Sequence, residues 1–278
     1  MNNMKKRMTV KSLLLVPALA AVLVLTGCTS TGNSGAPATA TASHLTQILK
    51  SKTIRIAVSA ETAPWGSLNA SGEYEGFDID MAKALGESLG AKVEFVSATN
   101  ESRIPLLQTA KADAVVASFS ATDARAQTVD FSIPYASTAT VFAVPKDSPI
   151  KSYADLAGKS ISSTRGSGGE KLLQSQFPGS KAVLFASFAD SVQALKSRKV
   201  DAFVELSSII GPLVATDSSF RILDGPALVP TLTSIGIRQG DQQWLNYLNT
   251  FIRNYTNSGA DEAAYEKWFH TTMPASLK

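Results

Sequence analysis

Histidine and cysteine are nearly missing from this 278-residue chain, which has two of the first and one of the second. A single Cys excludes an internal disulfide. No grouping of Cys, His and Asp has the spacing of a metal site, so neither a metal nor any other cofactor is expected. His44 and His270 lie near opposite ends of the folded sequence, and neither is placed to serve a Ser or Cys nucleophile, which argues against an enzyme. Beyond the first dozen residues there is no Lys/Arg cluster interleaved with aromatics, so nucleic acid is not an expected partner. Nor does any apolar run reach the roughly 20 residues that a membrane-spanning helix needs.

The N-terminal stretch is an address rather than a fold. Lys5, Lys6, Arg7 and Lys11 precede an apolar run from Leu13 to Leu25, which is interrupted by Pro17 and ends in Leu25-Thr26-Gly27-Cys28. Charge followed by a short hydrophobic stretch is the order of a signal peptide, so residues 1–27 are expected to be removed. Leu-Thr-Gly-Cys resembles the lipobox of bacterial lipoproteins. That likeness implies cleavage before Cys28, acylation of its thiol and a lipid anchor in the cell membrane, with the body facing the periplasm or the cell exterior. Loss of the leader removes four positive charges and no negative one, taking the net charge from +3 to −1. Thr29 to Ser43 is rich in Ser, Thr, Ala and Gly and carries no charge, too little apolar surface to offset the entropy of ordering. Residues 28–44 are therefore expected to be a lipidated Cys and a flexible tether spanning on the order of 20 Å.

About 235 residues remain, enough for two lobes. Short β-branched runs alternate with helical ones: strands over Thr53–Val58, Lys92–Val96 and Ala114–Ser118, helices over Gly76–Leu89 and Ile104–Thr109. In the first of these helices, Met81, Ala82, Leu85 and Leu89 recur at a period near 3.6, an Asp is available to cap the start, and Gly90 can end it in the left-handed conformation. After Thr140–Pro145 the cycle repeats, with strands over Ser160–Ser163, Ala182–Phe185 and Asp201–Val204 and helices over Gly169–Phe177 and Phe188–Ser197. A strand over Ser234–Ile237 and a helix over Gln242–Ser258, with Trp244, Leu245, Leu248, Phe251 and Ile252 on one face, close the chain. Such alternation predicts α/β lobes on mostly parallel sheets. Segments around Thr140–Val144 and Pro230–Ile235 would join them as hinges, and ligands in such sheets bind beyond the strands' carboxyl ends.

Gly76-Phe77-Asp78-Ile79-Asp80, Arg103-Ile104-Pro105-Leu106-Leu107, Lys111-Ala112-Asp113-Ala114, Thr122-Asp123-Ala124-Arg125 and Asp130-Phe131-Ser132-Ile133-Pro134-Tyr135 resemble family 3 extracellular solute-binding proteins, which serve polar amino-acid ABC transporters. Asp155-Leu156-Ala157-Gly158-Lys159, Lys199-Val200-Asp201-Ala202 and Lys267-Trp268-Phe269 agree with it in order, over about residues 45 to 274. The resemblance implies a type II periplasmic-binding-protein fold, two Rossmann-like lobes joined by two hinge segments. Residues 45–142 and 233–278 would form lobe 1 and residues 143–232 lobe 2. It further implies a monomer that closes over a carboxylate-bearing small molecule and docks on a transporter permease.

Arg125 has a role on physical grounds alone, because a carboxylate entering a closed cleft loses its hydration and is best received by a guanidinium fork. In the family, the Arg of this stretch grips the ligand's α-carboxylate. Ser118 and Ser120 fall where the family places donors at a strand's carboxyl end. Gly166-Ser167-Gly168-Gly169 follows a strand and opens a helix, so its N–H groups can receive an anion; Ser167 and Gly168 match the turn that completes the family's carboxylate pocket. Trp65 stands where the family has an aromatic against the ligand, and Asn100 where it has a side-chain contact. Two positions depart from the pattern. Thr62 replaces a frequent aromatic, and Leu206 stands where the family's Asp pairs with the ligand's ammonium, with Glu205 one residue earlier. On a strand, that shift turns the side chain to the other face unless the strand is bulged or ends there. The departure leaves two ligand classes open, an amino acid held otherwise or an acid without an ammonium. It also admits an alternative on the same fold, a dehydratase of cyclohexadienyl acids using Glu205 as its acid, or else a sensor for a signalling protein.

Overall fold

The computed structural model describes residues 43–225, 228 and 231–273. The leader, Cys28, the tether to residue 42 and Pro230 of the second hinge segment lie outside them. In chain order come α1 (His44–Ser51) and β1 (Thr53–Val58), then a small antiparallel sheet of β2 (Glu61–Thr62), β3 (Gly66–Leu68) and β4 (Tyr74–Glu75). α2 (Phe77–Leu89), β5 (Lys92–Ser97), α3 (Arg103–Gln108), β6 (Ala114–Val115), α4 (Asp123–Ala126) and β7 (Val129–Thr138) follow. The second lobe holds β8 (Thr140–Pro145), β9 (Ser160–Thr164), α5 (Gly168–Gln176), β10 (Lys181–Phe185), α6 (Phe188–Lys196), β11 (Ala202–Leu206), α7 (Ser207–Thr216) and β12 (Phe220–Ile222). The chain returns to the first with β13 (Thr231–Arg238), α8 (Gln242–Asn257) and α9 (Ala260–Phe269).

Each lobe is built on a five-stranded sheet, β5-β1-β6-β13-β7 in the first and β10-β9-β11-β8-β12 in the second. In both, three parallel strands in the order second-first-third meet a fourth that runs against them, and the edge strand is antiparallel to that fourth. The expected two-lobed α/β architecture is thus present. Crossings fall at Ala139, between β7 and β8, and between β12 and β13, where Thr140 and Thr231 bring their hydroxyls to 3.4 Å. All of Thr140–Pro145 therefore pairs within the second sheet, and Thr231–Arg238 within the first, so the change of lobe comes two to three residues earlier than the pattern suggested at both crossings.

Local chemistry explains most elements. α2 buries Met81, Ala82, Leu85 and Leu89, and Gly90 ends it at φ 57°. Its N-cap is Gly76, however, with no side-chain bond; the Asp expected to cap it is engaged elsewhere. Asp78 turns inward to Ser118 and Tyr135, and Asp80 accepts from Lys267 Nζ and Trp268 Nε1, both at 2.7 Å. β6 is shorter than predicted because the chain turns at Ser118, whose φ is 42°. α8 buries Trp244, Leu248, Phe251 and Ile252, each worth roughly 2 kcal/mol of transfer free energy.

The N-terminal end corrects one expectation. Ser43 and His44, read as the last of the tether, belong to the fold. Ser43 caps α1 by accepting from Leu45 N, and its hydroxyl donates to Asp241 Oδ1 at 2.6 Å. His44 N donates to Asp241 Oδ2 at 2.7 Å, with the ring Nδ1 3.0 Å from the same oxygen. Asp241 also caps α8 by accepting from Trp244 N. Burial opposes ionisation of this carboxyl, but the bonds from Ser43, His44 and Trp244 outweigh it and hold its pKa at about 2. One carboxylate thus ties the start of α1 to the start of α8. Asp241→Ala is expected to cost about 2 kcal/mol in urea denaturation and to abolish hydrogen-exchange protection in α1 first.

Candidate functional site

Between the lobes lies a cavity whose walls follow one rule. Ser59 to Thr62 come just after β1, Ser97 to Asn100 at the end of β5, Ser118 after β6, Thr164 at the end of β9, Ala186 to Phe188 after β10, and Glu205 and Ile209 at and beyond the end of β11. Each stretch sits at or just beyond the carboxyl end of a parallel strand, where ligands of open α/β sheets bind. The lining is rich in hydroxyls and has a single aromatic, Phe188.

Two buried guanidinium groups brace these loops. Arg125, 4% exposed, donates Nη1–H to Ser120 O at 2.7 Å and Nη2–H to Gly166 O at 2.6 Å. Arg103 donates from Nε to Asn100 O, from Nη1 to Ala117 O and from Nη2 to the same Gly166 O at 3.1 Å. Both lie against the ring of Phe119, at 4.7 and 5.0 Å from its centroid, which offers a π face to the cations. Burial lowers both pKa values, Arg125 to about 10, and Arg103, which also feels the Arg125 charge, to about 9. Both groups stay charged at neutral pH. The shared Gly166 carbonyl belongs to the second lobe, so the two cations also hold the lobes together.

Asp78 is fully buried behind the Ser118 turn. It accepts Ser118 N–H at 2.6 Å and Tyr135 O–H at 2.7 Å, which pins a non-glycine residue in the left-handed region. Burial pushes its carboxyl up to about 7 despite those bonds and the nearby Arg103 charge.

The residues singled out from the sequence separate into three groups. Asn100, Ser118 and Glu205 line the cavity. Arg125, Ser120, Ser167 and Gly168 stand beside it: a Cβ on Gly168 would be 3.7 Å from Ser120 Oγ, while the Ser167 hydroxyl caps α5 and contacts Ser163 Oγ at 3.0 Å. Trp65, expected against the ligand, is instead a core residue. It has no exposed surface, packs edge-on to Phe77 and Phe269, and donates Nε1–H to Ser208 Oγ of the second lobe at 3.0 Å. Thr62 lines the cavity where an aromatic was the alternative, its hydroxyl accepting from Ser59 at 2.7 Å. Arg103, Ser59, Thr164 and Ser187 were not foreseen, although the strand-end rule points to the last three.

Leu206 is 3% exposed and packs, with Ile209, into the first lobe's main hydrophobic cluster beside Trp65, Phe77 and Phe269. β11 ends at Leu206, and Glu205, on the strand's other face, reaches the cavity. Burial raises the Glu205 carboxyl to about 7, against the Leu206 N–H and the charges of Arg103 and Arg125.

Residues 54–271 match the family described as bacterial extracellular solute-binding proteins, family 3. The chain is 30% identical over 257 residues to the ABC transporter glutamine-binding protein GlnH of Bacillus subtilis (strain 168), covering 90% of this chain and 94% of that protein. It is also 30% identical over 220 residues to the ABC transporter arginine-binding protein 1 of Escherichia coli (strain K12), covering 78% and 90%. A solved structure of an ancestral amino acid-binding protein, a precursor of cyclohexadienyl dehydratase, superposes with a TM-score of 0.76 at 34% identity, over 82% of this chain and 100% of that one.

The placement of Leu206 has a measurable consequence. Leu206→Ala is expected to lower unfolding free energy by about 2–4 kcal/mol, as for other buried Leu. A loss under about 1 kcal/mol in chemical denaturation would mean that this side chain is not part of the core.

Proposed function

Because the chain belongs to the bacterial extracellular solute-binding proteins, family 3, we propose that it captures an amino acid or related small carboxylate between its lobes and delivers it to the permease of an ABC transporter. The observation that carries this reading is the hydroxyl-lined cavity at the carboxyl ends of six parallel strands, braced by two buried guanidinium groups. Arg125 is the residue we assign to the ligand's carboxylate. Its Nη2–H is held by the Gly166 carbonyl, and a carboxylate, with a full charge in place of a dipole, is the stronger acceptor there. Ser118, Ser120, Asn100 and the Ser167–Gly168 turn supply the remaining polar contacts in this reading.

Closure follows from the same contacts, since Gly166 belongs to the lobe that must move. We read the protein as a receptor without turnover. The relatives reported above are binding proteins, and the ancestral structure is itself one. The lipobox-like Leu25–Cys28 supports a lipidated Cys28 as the anchor, and no helix among the described residues is long and apolar enough to cross a membrane. A monomer on a tether, free to reorient toward its permease, is the assembly this implies.

The test is a thermal-shift screen of the protein against amino acids, their keto and hydroxy analogues, and prephenate. A ligand at a hundred times its Kd is expected to add about 2.7 kcal/mol of stability, and Arg125→Ala to abolish the shift. Consumption of prephenate would establish the dehydratase instead.

A further inference from the structure

Among the described residues, five that are not glycine have a positive φ: Lys52, Ala110, Ser118, Arg198 and His270. Lys52 and His270 are helix C-caps, and Ala110 and Arg198 come two residues after α3 and α6. At a helix end the left-handed conformation is an ordinary way to stop. Ser118 differs from all four. It comes three residues after strand β6, it alone of the five is buried apart from any helix end, and it lines the cavity. A residue with a Cβ keeps this conformation only where its surroundings impose it.

Two buried side chains impose it by gripping opposite ends of one peptide unit. Arg103, the first residue of α3, donates Nη1–H to Ala117 O at 3.0 Å, and Asp78, the second residue of α2, accepts Ser118 N–H at 2.6 Å. Arg103 is 2% exposed and Asp78 has no exposed surface. Turned round, the unit between Ala117 and Ser118 would aim its carbonyl at a carboxyl group and its N–H at a guanidinium. Both contacts would be unfavourable and neither group has water to turn to, so the orientation of the unit, and with it the φ of Ser118, is fixed. The other oxygen of Asp78 takes Tyr135 O–H at 2.7 Å, from a residue of β7 four positions before the crossing at Ala139. Asp78 itself is not among the residues that line the cavity.

We propose that Asp78 is a positioning residue for ligand capture: from behind the wall it holds the Ala117–Ser118 peptide in the orientation that presents Ser118 to the cavity, so that affinity depends on a side chain the ligand never touches. The inference rests on the capture reading above. What the turn needs from Asp78 is an acceptor rather than a charge. Burial raises its carboxyl to about 7, and the neutral form serves as well, since its carbonyl oxygen accepts Ser118 N–H while its O–H donates to the Tyr135 hydroxyl. An Asn side chain has the same pattern of one acceptor and one donor.

Titration calorimetry of the purified protein first finds the tightest binder among the common L-amino acids and their keto and hydroxy analogues, and that compound then probes the variants. Asp78→Ala should weaken its binding by about tenfold or more, whereas Asp78→Asn should stay within about threefold of the wild type. Combined with Ser118→Gly, Asp78→Ala should cost no more than about threefold beyond Ser118→Gly alone, because glycine enters the left-handed region unaided. A merely structural Asp78 would lower the melting point, which reports folding for each variant, without this coupling in affinity. Hydrogen exchange at the Ser118 amide supplies a reading on the wild type that decides should Asp78→Ala fail to fold. The amide should already be protected by about 100-fold or more before any compound is added. Protection that appears only on binding, a folded Asp78→Ala that binds like the wild type, or an equal loss in the Ser118→Gly background overturns the inference and leaves the capture reading standing. A wild type that binds none of these compounds overturns the capture reading and the inference with it.

Discussion

The interlobe region is organised by two positive charges buried with no ion-pair partner among the described residues. Removing a guanidinium from water is costly unless its N–H groups are satisfied. Here main-chain carbonyls satisfy them, those of Asn100, Ala117, Ser120 and Gly166, with the Phe119 ring completing the enclosure. Every one of those carbonyls lies in a loop that leaves a strand at its carboxyl end. Arg103 and Arg125 therefore hold in shape the loops from which the cavity is made, and through Gly166 they make that shape depend on the approach of the second lobe.

The same field explains why two carboxyl groups can be buried nearby. Asp78 and Glu205 are each driven toward the neutral form by desolvation, and the guanidinium charges offset only part of that cost. Their hydrogen bonding separates them. Asp78 has two donors, Ser118 N–H and Tyr135 O–H, and is a fixed part of the scaffold that shapes the Ser118 turn. Glu205 has one donor and an oxygen left over toward the cavity. Equal burial thus yields a structural group and a receptive one.

Much of this was legible in the sequence because the strands and helices of α/β lobes are set by local pattern. Thr53–Val58 forms as read, and the apolar face of α8 is the expected one apart from the half-buried Leu245. What escaped was set by contacts between distant residues. Asp78 reads as a helix cap because it stands beside a helix start, yet its partners are 40 and 57 residues away. Trp65 reads as a ligand contact, but the apolar shell of Phe77 and Phe269 that holds it comes from separate elements. Ser43 and His44 have the composition of a linker and are ordered by Asp241, almost 200 residues on. α7 escaped because Pro212 interrupts its pattern and its N-cap, Leu206, offers no side-chain bond.

Glu205 and Leu206 divide two surroundings between the two faces of one strand end. Side chains on a strand alternate between faces, so neighbours at its end cannot both point into the cavity while the strand stays regular. The apolar member here fills the first lobe's core together with Ile209, and the second lobe gains a grip on the first that involves no ligand. The acidic member lines the cavity from the face it shares with Thr164. A carboxylate at the strand's last residue would leave this grip without its Leu. With the order Glu-Leu, one face of the strand end secures the lobes to each other and the other faces the cavity.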